Sequence, residues 1–493
     1  MSANPPAADR WRLLALLGVA QFMLVLDVTV VAVALPDIGA DLALSRTALT
    51  WVVSAYTLMF GGLLLFGGRL ADLVGARRVV LAGLTLFATA SLVSGLAWNA
   101  ESLIGGRLAQ GAGAALLSPA ALSIVATTFH GAERNRAFGV WAALGGAGSA
   151  AGVLVGGLLT AGPGWSWIFY VNVPVGIVLV VLLARLLAPA RPDDGPAHSA
   201  RAGAAHRASG RPGDGGQRPR RLDVPGAVLV TGGTAALIYG LVNAGDDGWT
   251  GSATVVPVAA ALVLYTVFGV VQRRLRAPLI DPRILTRRPV LTGVLLMLVA
   301  TGLLISSFFL GSFFLQHVRG NTALATGVLF LPVAVAVAAG AHVGGQAVGR
   351  AGPRPVAAVA FAVAAAGLGL AALATTRADG SADTALLVTG MSVATAGLGA
   401  TFVTATTSAL AHVDPHEAGL TSGVVNTFHE FGAALGVAVA SSLAAADLAP
   451  GATGTDGFTG AFAAGAGAAV VAGGVALALI PAGKPAVTGM PAH

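Results

Sequence analysis

The sequence predicts an all-α integral membrane protein with fourteen transmembrane helices. Three observations carry that class: a series of long apolar runs, positive charge confined to one side of the zigzag they trace, and a turn repeated in the two ends of the chain. The runs fall at 13–35, 48–67, 79–98, 103–128, 137–160, 167–188, 224–243, 252–271, 289–315, 323–345, 355–374, 384–411, 421–446 and 458–480. At about 1.5 Å rise per residue, each can cross a hydrocarbon core of roughly 30 Å. Charged residues make up 10% of the 493 and hydrophobic ones 56%, whereas about 25% of a soluble domain is charged. So little polar surface excludes a water-soluble fold. The first run is too long for the core of a signal peptide and reads as a retained helix.

The charges orient the zigzag. With the N-terminus in the cytoplasm, 24 of the 28 Lys and Arg residues fall in cytoplasmic segments or, for Arg185, at the cytoplasmic end of a run, Arg46, Arg319 and Arg377 fall outside, and Arg107 lies within a run. The outer loops carry Asp37, Asp41, Glu101, Asp246, Asp247, Asp379, Asp383, Asp447 and Asp456. The positive-inside rule then predicts that both termini are cytoplasmic. The net charge of +7 is expected to face anionic inner-leaflet lipid. No basic patch is interleaved with aromatic residues, so nucleic acid is not an expected partner.

Several chemistries are excluded. The chain has no cysteine, which removes disulfides, thiolate metal sites and a cysteine nucleophile. No His/Asp/Glu group has metal-ligand spacing, and no phosphate-binding loop is present. No nucleophile, base and orienting group can be assembled from the spacing, so the reading is not an enzyme and needs no cofactor. Lys484 is the single lysine. With the abundant Ala and Gly, this usage points to a GC-rich bacterial genome, hence a bacterial plasma membrane, and a monomer is the expected state.

The runs group as six, two and six. Expected boundaries are an N-terminal six-helix bundle over 1–188, a disordered cytoplasmic linker over 189–222, two extra helices with a basic loop over 223–288, and a C-terminal six-helix bundle over 289–493. The linker is Arg-, Gly- and Pro-rich and lacks periodicity. The turn after the second run reads Gly68-Arg69-Leu-Ala-Asp72-Leu-Val-Gly75-Ala-Arg77-Arg78. That after the tenth reads Gly345-Gln-Ala-Val-Gly349-Arg-Ala-Gly352-Pro-Arg354. Gly68 and Gly345, Gly75 and Gly352, and Arg77 and Arg354 share one offset (345 − 68 = 277). Duplicated helical halves with a cavity between them are a transporter design, one half rocking against the other. In the first turn, glycines allow a tight reversal, while Asp72 can pair with Arg69, Arg77 and Arg78 as a cytoplasmic gate. A solvated positive-inside loop is the plainer alternative.

The motif Gly68-x-Leu-Ala-Asp72-x-x-Gly75-x-Arg77-Arg78 resembles the signature loop of the major facilitator superfamily. Leu26-Asp27-Val-Thr29 through Leu35-Pro36 is similar to the first-helix motif of its fourteen-helix drug:proton antiporters. So are Trp51 and Tyr56, Arg107-Leu-Ala-Gln110-Gly111, and Trp167-Ile-Phe169-Tyr-Val-Asn172-Val-Pro174. Shorter matches in the second half are Gln316, Leu331-Pro332 and Asn426. The resemblance implies the major facilitator fold, two six-helix bundles with two extra linker helices. It also implies proton-coupled efflux. One departure concerns the fifth helix, where the family's antiporter motif has Gly-Pro and this chain has Gly152-Val153 before Gly156-Gly157. Without proline that helix keeps a backbone donor and loses a fixed kink. Gly148, Gly152 and Gly156 still form a stripe for close helix contact, serving packing or the rocking motion.

Charges within the runs mark the chemistry, because each costs at least ~2.5–3.5 kcal/mol at the bilayer centre. Asp27 is expected about 12 Å from the outer end of its helix, and Arg107 about 6 Å from the outer end of its own. They are read as facing one another. Desolvation and a guanidinium act oppositely on a carboxylate's proton, so switching access lets Asp27 bind a proton outside and release it inside. A permanent structural pair is the alternative. Glu430, one turn from Asn426, stands where the family pattern has no acid. It is read as a second proton site, a substrate contact or a paired buried acid. His342 is expected to be a hydrogen-bonded packing histidine, with titration in the cycle as the alternative. Trp51, Tyr56, Gln110 and Asn426 are the expected substrate cavity for a lipophilic or cationic small molecule. Symport or facilitated diffusion of a metabolite, and a non-transporting receptor or scaffold, are the rival readings.

Overall fold

A computed structural model describes residues 7–187, 222–275, 278–280, 282–376, 381–411, 413, 417–449, 452 and 454–481. The linker expected at 189–222 lies, except for Leu222, outside the described residues.

Among the described residues, fourteen long helices lie in the predicted places, with one short helix, Pro282–Thr286, before the ninth: α1 Ala7–Asp41, α2 Arg46–Val74, α3 Ala76–Gly95, α4 Ala100–Thr128, α5 Gly131–Ala161, α6 Trp167–Leu186, α7 Val224–Asp247, α8 Ser252–Arg274, α9 Arg288–Val318, α10 Ala323–Ala351, α11 Pro353–Thr375, α12 Ser381–Leu410, α13 Ala418–Leu443 and α14 Asp456–Leu479. A helix satisfies its own backbone groups, which lipid cannot do, and that is why apolar runs of this length take this form. By length and composition, twelve of the fourteen qualify as membrane spans among the described residues. The others are α5 and α13, and α13 carries Asn426, His429 and Glu430 in its middle. α6 is interrupted after Tyr170, and α9 ends in a π-helical turn, Phe314–Val318. Polar caps fix several starts: Ser45 accepts from the Ala48 amide at 3.2 Å, and Asn99 accepts from the Ser102 amide at 2.9 Å.

α1 departs from the sequence reading. It was expected to stop at Leu35, before Pro36, but continues to Asp41. Proline removes one backbone bond, and a helix already anchored by packing on both sides tolerates the loss.

The packing repeats. In the first six helices, α1 lies on α5, α2 on α4, and α3 on α4 and α6. In the last six, α9 lies on α13, α10 on α12, and α11 on α12 and α14. The halves meet through α2 with α13 and α5 with α10, the second helix of one with the fifth of the other. α7 packs on α2 and α13, and α8 packs on α7 at the outside. Gly75 and Gly352, the equivalent turn glycines, have φ of 95° and 85°. Two termini-side ion pairs also correspond: Arg10–Glu133 joins α1 to α5, and Arg287–Glu417 joins the starts of α9 and α13. Arg10 and Arg287 share the same offset as the turns (287 − 10 = 277).

The apolar core is divided unevenly. Near the chain termini, Leu13, Leu14, Leu17 and Leu24 of α1 pack with α2, α3, α4 and α6 in a core belonging to the first six helices. Farther along, Val30, Val33 and Ile38 of α1 and Leu49, Val52 and Val53 of α2 share a continuous core with α9–α14. The two halves are therefore joined mainly at the end distal to the termini, and α2 also touches α13 nearer the termini, where Leu65 lies on Gly423. Backbone contact reinforces the junction, for a Cβ on Gly157 of α5 would collide with the Ala323 carbonyl, and one on Gly327 of α10 with the Val153 carbonyl.

Gly75→Ala and Gly352→Ala each place a side chain at a positive φ, at a cost of more than about 1 kcal/mol. Both variants are expected to melt at lower temperature than the parent in detergent, by similar amounts, as followed by intrinsic fluorescence.

Candidate functional site

Asp27 on α1 and Arg107 on α4 lie at the centre of the first bundle, each only 1% exposed. They form an ion pair, Arg107 Nη1 to Asp27 Oδ2. The other carboxylate oxygen, Oδ1, accepts from Gln110 Nε2 at 3.1 Å and from Asn172 Nδ2 of α6 at 3.3 Å. Arg107 also donates from Nε to the Val52 carbonyl of α2 at 3.0 Å, and from Nη1 to Gln110 Oε1 at 3.1 Å. Its guanidinium carbon stands 4.5 Å from the centre of the Tyr56 ring, a cation–π arrangement. Gln110 Nε2 reaches Ser91 Oγ of α3 at 2.8 Å. Five helices thus converge on one carboxylate and one guanidinium. The cost of burying each charge is offset only because each has its counter-charge and further hydrogen bonds.

Local geometry explains the convergence. Arg107 and Gln110 are three apart on α4 and share a face. Because α1 runs to Asp41, Asp27 sits fourteen residues from its distal end, about 21 Å rather than the expected 12 Å. The spacing argument did not supply Asn172 or Ser91 as ligands. Asn172 lies inside the Trp167–Pro174 motif, which was the available signal; Ser91 had none.

The expected substrate cavity is corrected in three of its four members. Tyr56 and Gln110 are fully buried, Tyr56 donating to the Leu24 carbonyl at 3.4 Å, because the charged pair recruits both as partners. Trp51 packs outward beside Ile238 and Val242 of α7, since the extra helix covers that side of α2. Asn426 alone is exposed. Glu430, one turn beyond it on α13, is apart from Asp27 and Arg107. Its Cβ lies against Gly61 of α2, at the junction of the halves. It has no hydrogen bond or ion pair among the described residues, whereas its neighbour His429 pairs Nδ1 with Thr301 Oγ1 of α9 at 2.9 Å. Tyr56 is within electrostatic reach of both Asp27 and Glu430.

Among the described residues, Asp72 forms no ion pair with Arg69, Arg77 or Arg78. Asp72 and Arg78 are exposed and Gly68 and Arg69 half-buried. Arg77 instead donates to the Ala184 carbonyl of α6 at 3.1 Å. Exposed charges gain little from pairing, and no helix of the second half closes over them here. In the α5 motif, Gly148, Gly152 and Gly156 lie on the α1 backbone, while Gly157 turns to α10. α5 has no proline and runs unbroken through Val153. His342 is exposed and bonded to Gln346 Nε2 at 2.9 Å, not packed.

Two matched helical bundles packed against one another, with an ion pair buried among the membrane-spanning helices, are the architecture of a multi-pass membrane transporter. A family model for the Major Facilitator Superfamily matches residues 17–437, and the chain belongs to that family. It is 37% identical over 441 residues to a puromycin resistance protein of Streptomyces alboniger, covering 89% of this chain and 82% of the relative. It is 38% identical over 425 residues to a cephamycin export protein of Amycolatopsis lactamdurans, covering 85% and 82%. Among solved structures, a bacterial homolog of the human lysosomal transporter Spinster, inward-facing and occupied, aligns with TM-score 0.64 at 15% identity, covering 96% of this chain and 97% of that one. The protein is therefore a transporter of small molecules, not an enzyme.

Removing one partner of a buried ion pair costs about 3–5 kcal/mol because the other charge is stranded. Arg107→Ala is expected to lower the melting temperature sharply. Adding Asp27→Asn to it should restore much of the loss, since the double variant buries no lone charge. Additive effects in that thermal-shift cycle would show that the two residues act separately.

Proposed function

We propose that the protein exports lipophilic or cationic small molecules across a bacterial plasma membrane by proton-coupled alternating access, with both termini in the cytoplasm. The observation that carries this reading is the buried Asp27–Arg107 pair at the heart of one rocking half. The arrangement supports a state sealed at the distal end, with access from the side of the termini. Opening the other way would hydrate or reorient the pair, changing the balance between desolvation and counter-charge that decides whether Asp27 holds its proton. Relatives named for puromycin resistance, cephamycin export and tetracenomycin C resistance and export support efflux over a receptor or scaffold role.

Glu430 supplies a second element of the same reading. It is an unpaired acid at the junction of the halves, beside the exposed Asn426, and is a fitting counter-charge for the cationic head of a substrate. Asp27 then serves the proton and Glu430 the cargo. Gly68, Arg69, Asp72, Gly75, Arg77 and Arg78 remain a gate in this scheme, engaging only when the termini side closes. Symport or facilitated diffusion is the second reading, favoured by the unkinked α5 at Val153. The direction of proton movement on adding substrate to proteoliposomes separates the two.

A growth-inhibition panel with and without the protein should identify protected compounds. With one of these, Asp27→Asn is expected to abolish pH-gradient-driven efflux and, because it leaves Arg107 without its counter-charge, to melt lower than the parent while still being recovered folded; full coupled efflux by that variant would falsify the proton role. Glu430→Gln should weaken efflux of permanent cations such as ethidium and spare uncharged substrates. Equal loss of both kinds, measured in everted vesicles, is the result that removes Glu430 from substrate choice.

A further inference from the structure

Arg46, at the distal start of α2, is only 7% exposed although it was expected to be an ordinary outer-loop charge. Its guanidinium joins three separate parts of the molecule. Nη2 meets Asp246 Oδ2 of α7 at 2.6 Å and the Val242 carbonyl of the same helix at 2.8 Å, and Nε reaches Asp246 Oδ1 at 3.3 Å. Nη1 reaches Ser441 Oγ of α13 at 3.1 Å and the Ser441 carbonyl at 3.4 Å. One turn along α2, Thr50 shares Ser441 Oγ at 2.7 Å. Among the described residues, side-chain hydrogen bonds between α1–α6 and α9–α14 lie in this distal half. Besides those at Ser441 they are Ser54 to the Ala434 carbonyl at 3.3 Å and Gln316 to the Val33 carbonyl at 2.8 Å. Beneath them, Leu58 of α2, Ile238 and Val242 of α7, and Ala434 and Ala438 of α13 form a small apolar cluster.

We propose that Arg46 is a distal latch and that the extra helix α7 is its third member. The latch holds this end shut, and the end opens only when Arg46 leaves Ser441. Within this arrangement the extra helix pair is part of the access machinery, not a passive spacer between the halves. Val242 and Asp246 fix the guanidinium so that it points at α13. An arginine suits the task because its planar donors can serve a carboxylate, a hydroxyl and two carbonyls together, and it remains charged throughout.

The natural absence of cysteine permits a direct test that does not depend on transport. Ala438→Cys puts a thiol in the buried cluster. On purified protein in detergent, where both ends are reachable, its reaction with a membrane-impermeant maleimide reports opening. Arg46→Ala in that background is expected to raise the labelling rate about tenfold or more, because truncating one partner of a buried, hydrogen-bonded charge weakens the closed form by at least that factor. Asp246→Asn should also raise it, and by less. Asp246 is exposed at its outer edge, so this variant carries the test even where Arg46→Ala fails to fold. An Asp246→Asn rate equal to the parent's overturns the part given to α7, and an unchanged rate in a folded Arg46→Ala overturns the latch itself.

Discussion

A single charge pair dictates the construction of the first bundle. Arg107 and Asp27 are removed from water almost completely, and neither survives there without the other. The guanidinium and carboxylate have more hydrogen-bonding capacity than one ion pair uses, so α2 gives the Val52 carbonyl, α4 gives Gln110, and α6 gives Asn172. Each added partner brings its helix to a fixed depth and rotation. Five of the six helices are tied together in this way, because shifting any one of them strands a buried polar group.

The second bundle repeats the helix arrangement without repeating this centre. Its interior near the junction holds Thr301 bonded to His429, and beside them an acid with no partner among the described residues. Duplication therefore preserved the packing scheme, the turn glycines and the termini-side ion pairs, while the polar content of the two halves diverged. A half made rigid by its own charges faces one that keeps an unsatisfied carboxylate at the shared surface.

Much of the architecture was legible in the sequence. Helix number, order and the repeat follow from hydropathy and from glycine spacing, because lipid permits few alternatives to a helix. The pairing of Asp27 with Arg107 was legible for the same reason, two costly charges at compatible depth. The lining of the cavity was not. Tyr56 and Trp51 sit five residues apart on one helix, and period alone does not say that one meets a guanidinium and the other an added helix. Asp72 is a different case, since ordered spacing marks a turn whose charges can pair but does not say which of them are paired in one structure, and here Asp72 is exposed. Arg46 was passed over because its loop position made it look solvated, and its burial comes from α7, some two hundred residues away in the chain.

The position of α7 bears on how the architecture could be shortened. Many helical transporters could be imagined as two six-helix halves with any intervening pair treated as removable. Here excision of 224–274 would take Val242 and Asp246 from the Arg46 guanidinium, leaving a cation in a wall with a serine as its companion, and would bare Trp51 and Leu58 to the bilayer. A twelve-helix derivative of this chain would need a new residue at position 46, and a reshaped flank on α2, before it could be expected to keep its outer face sealed.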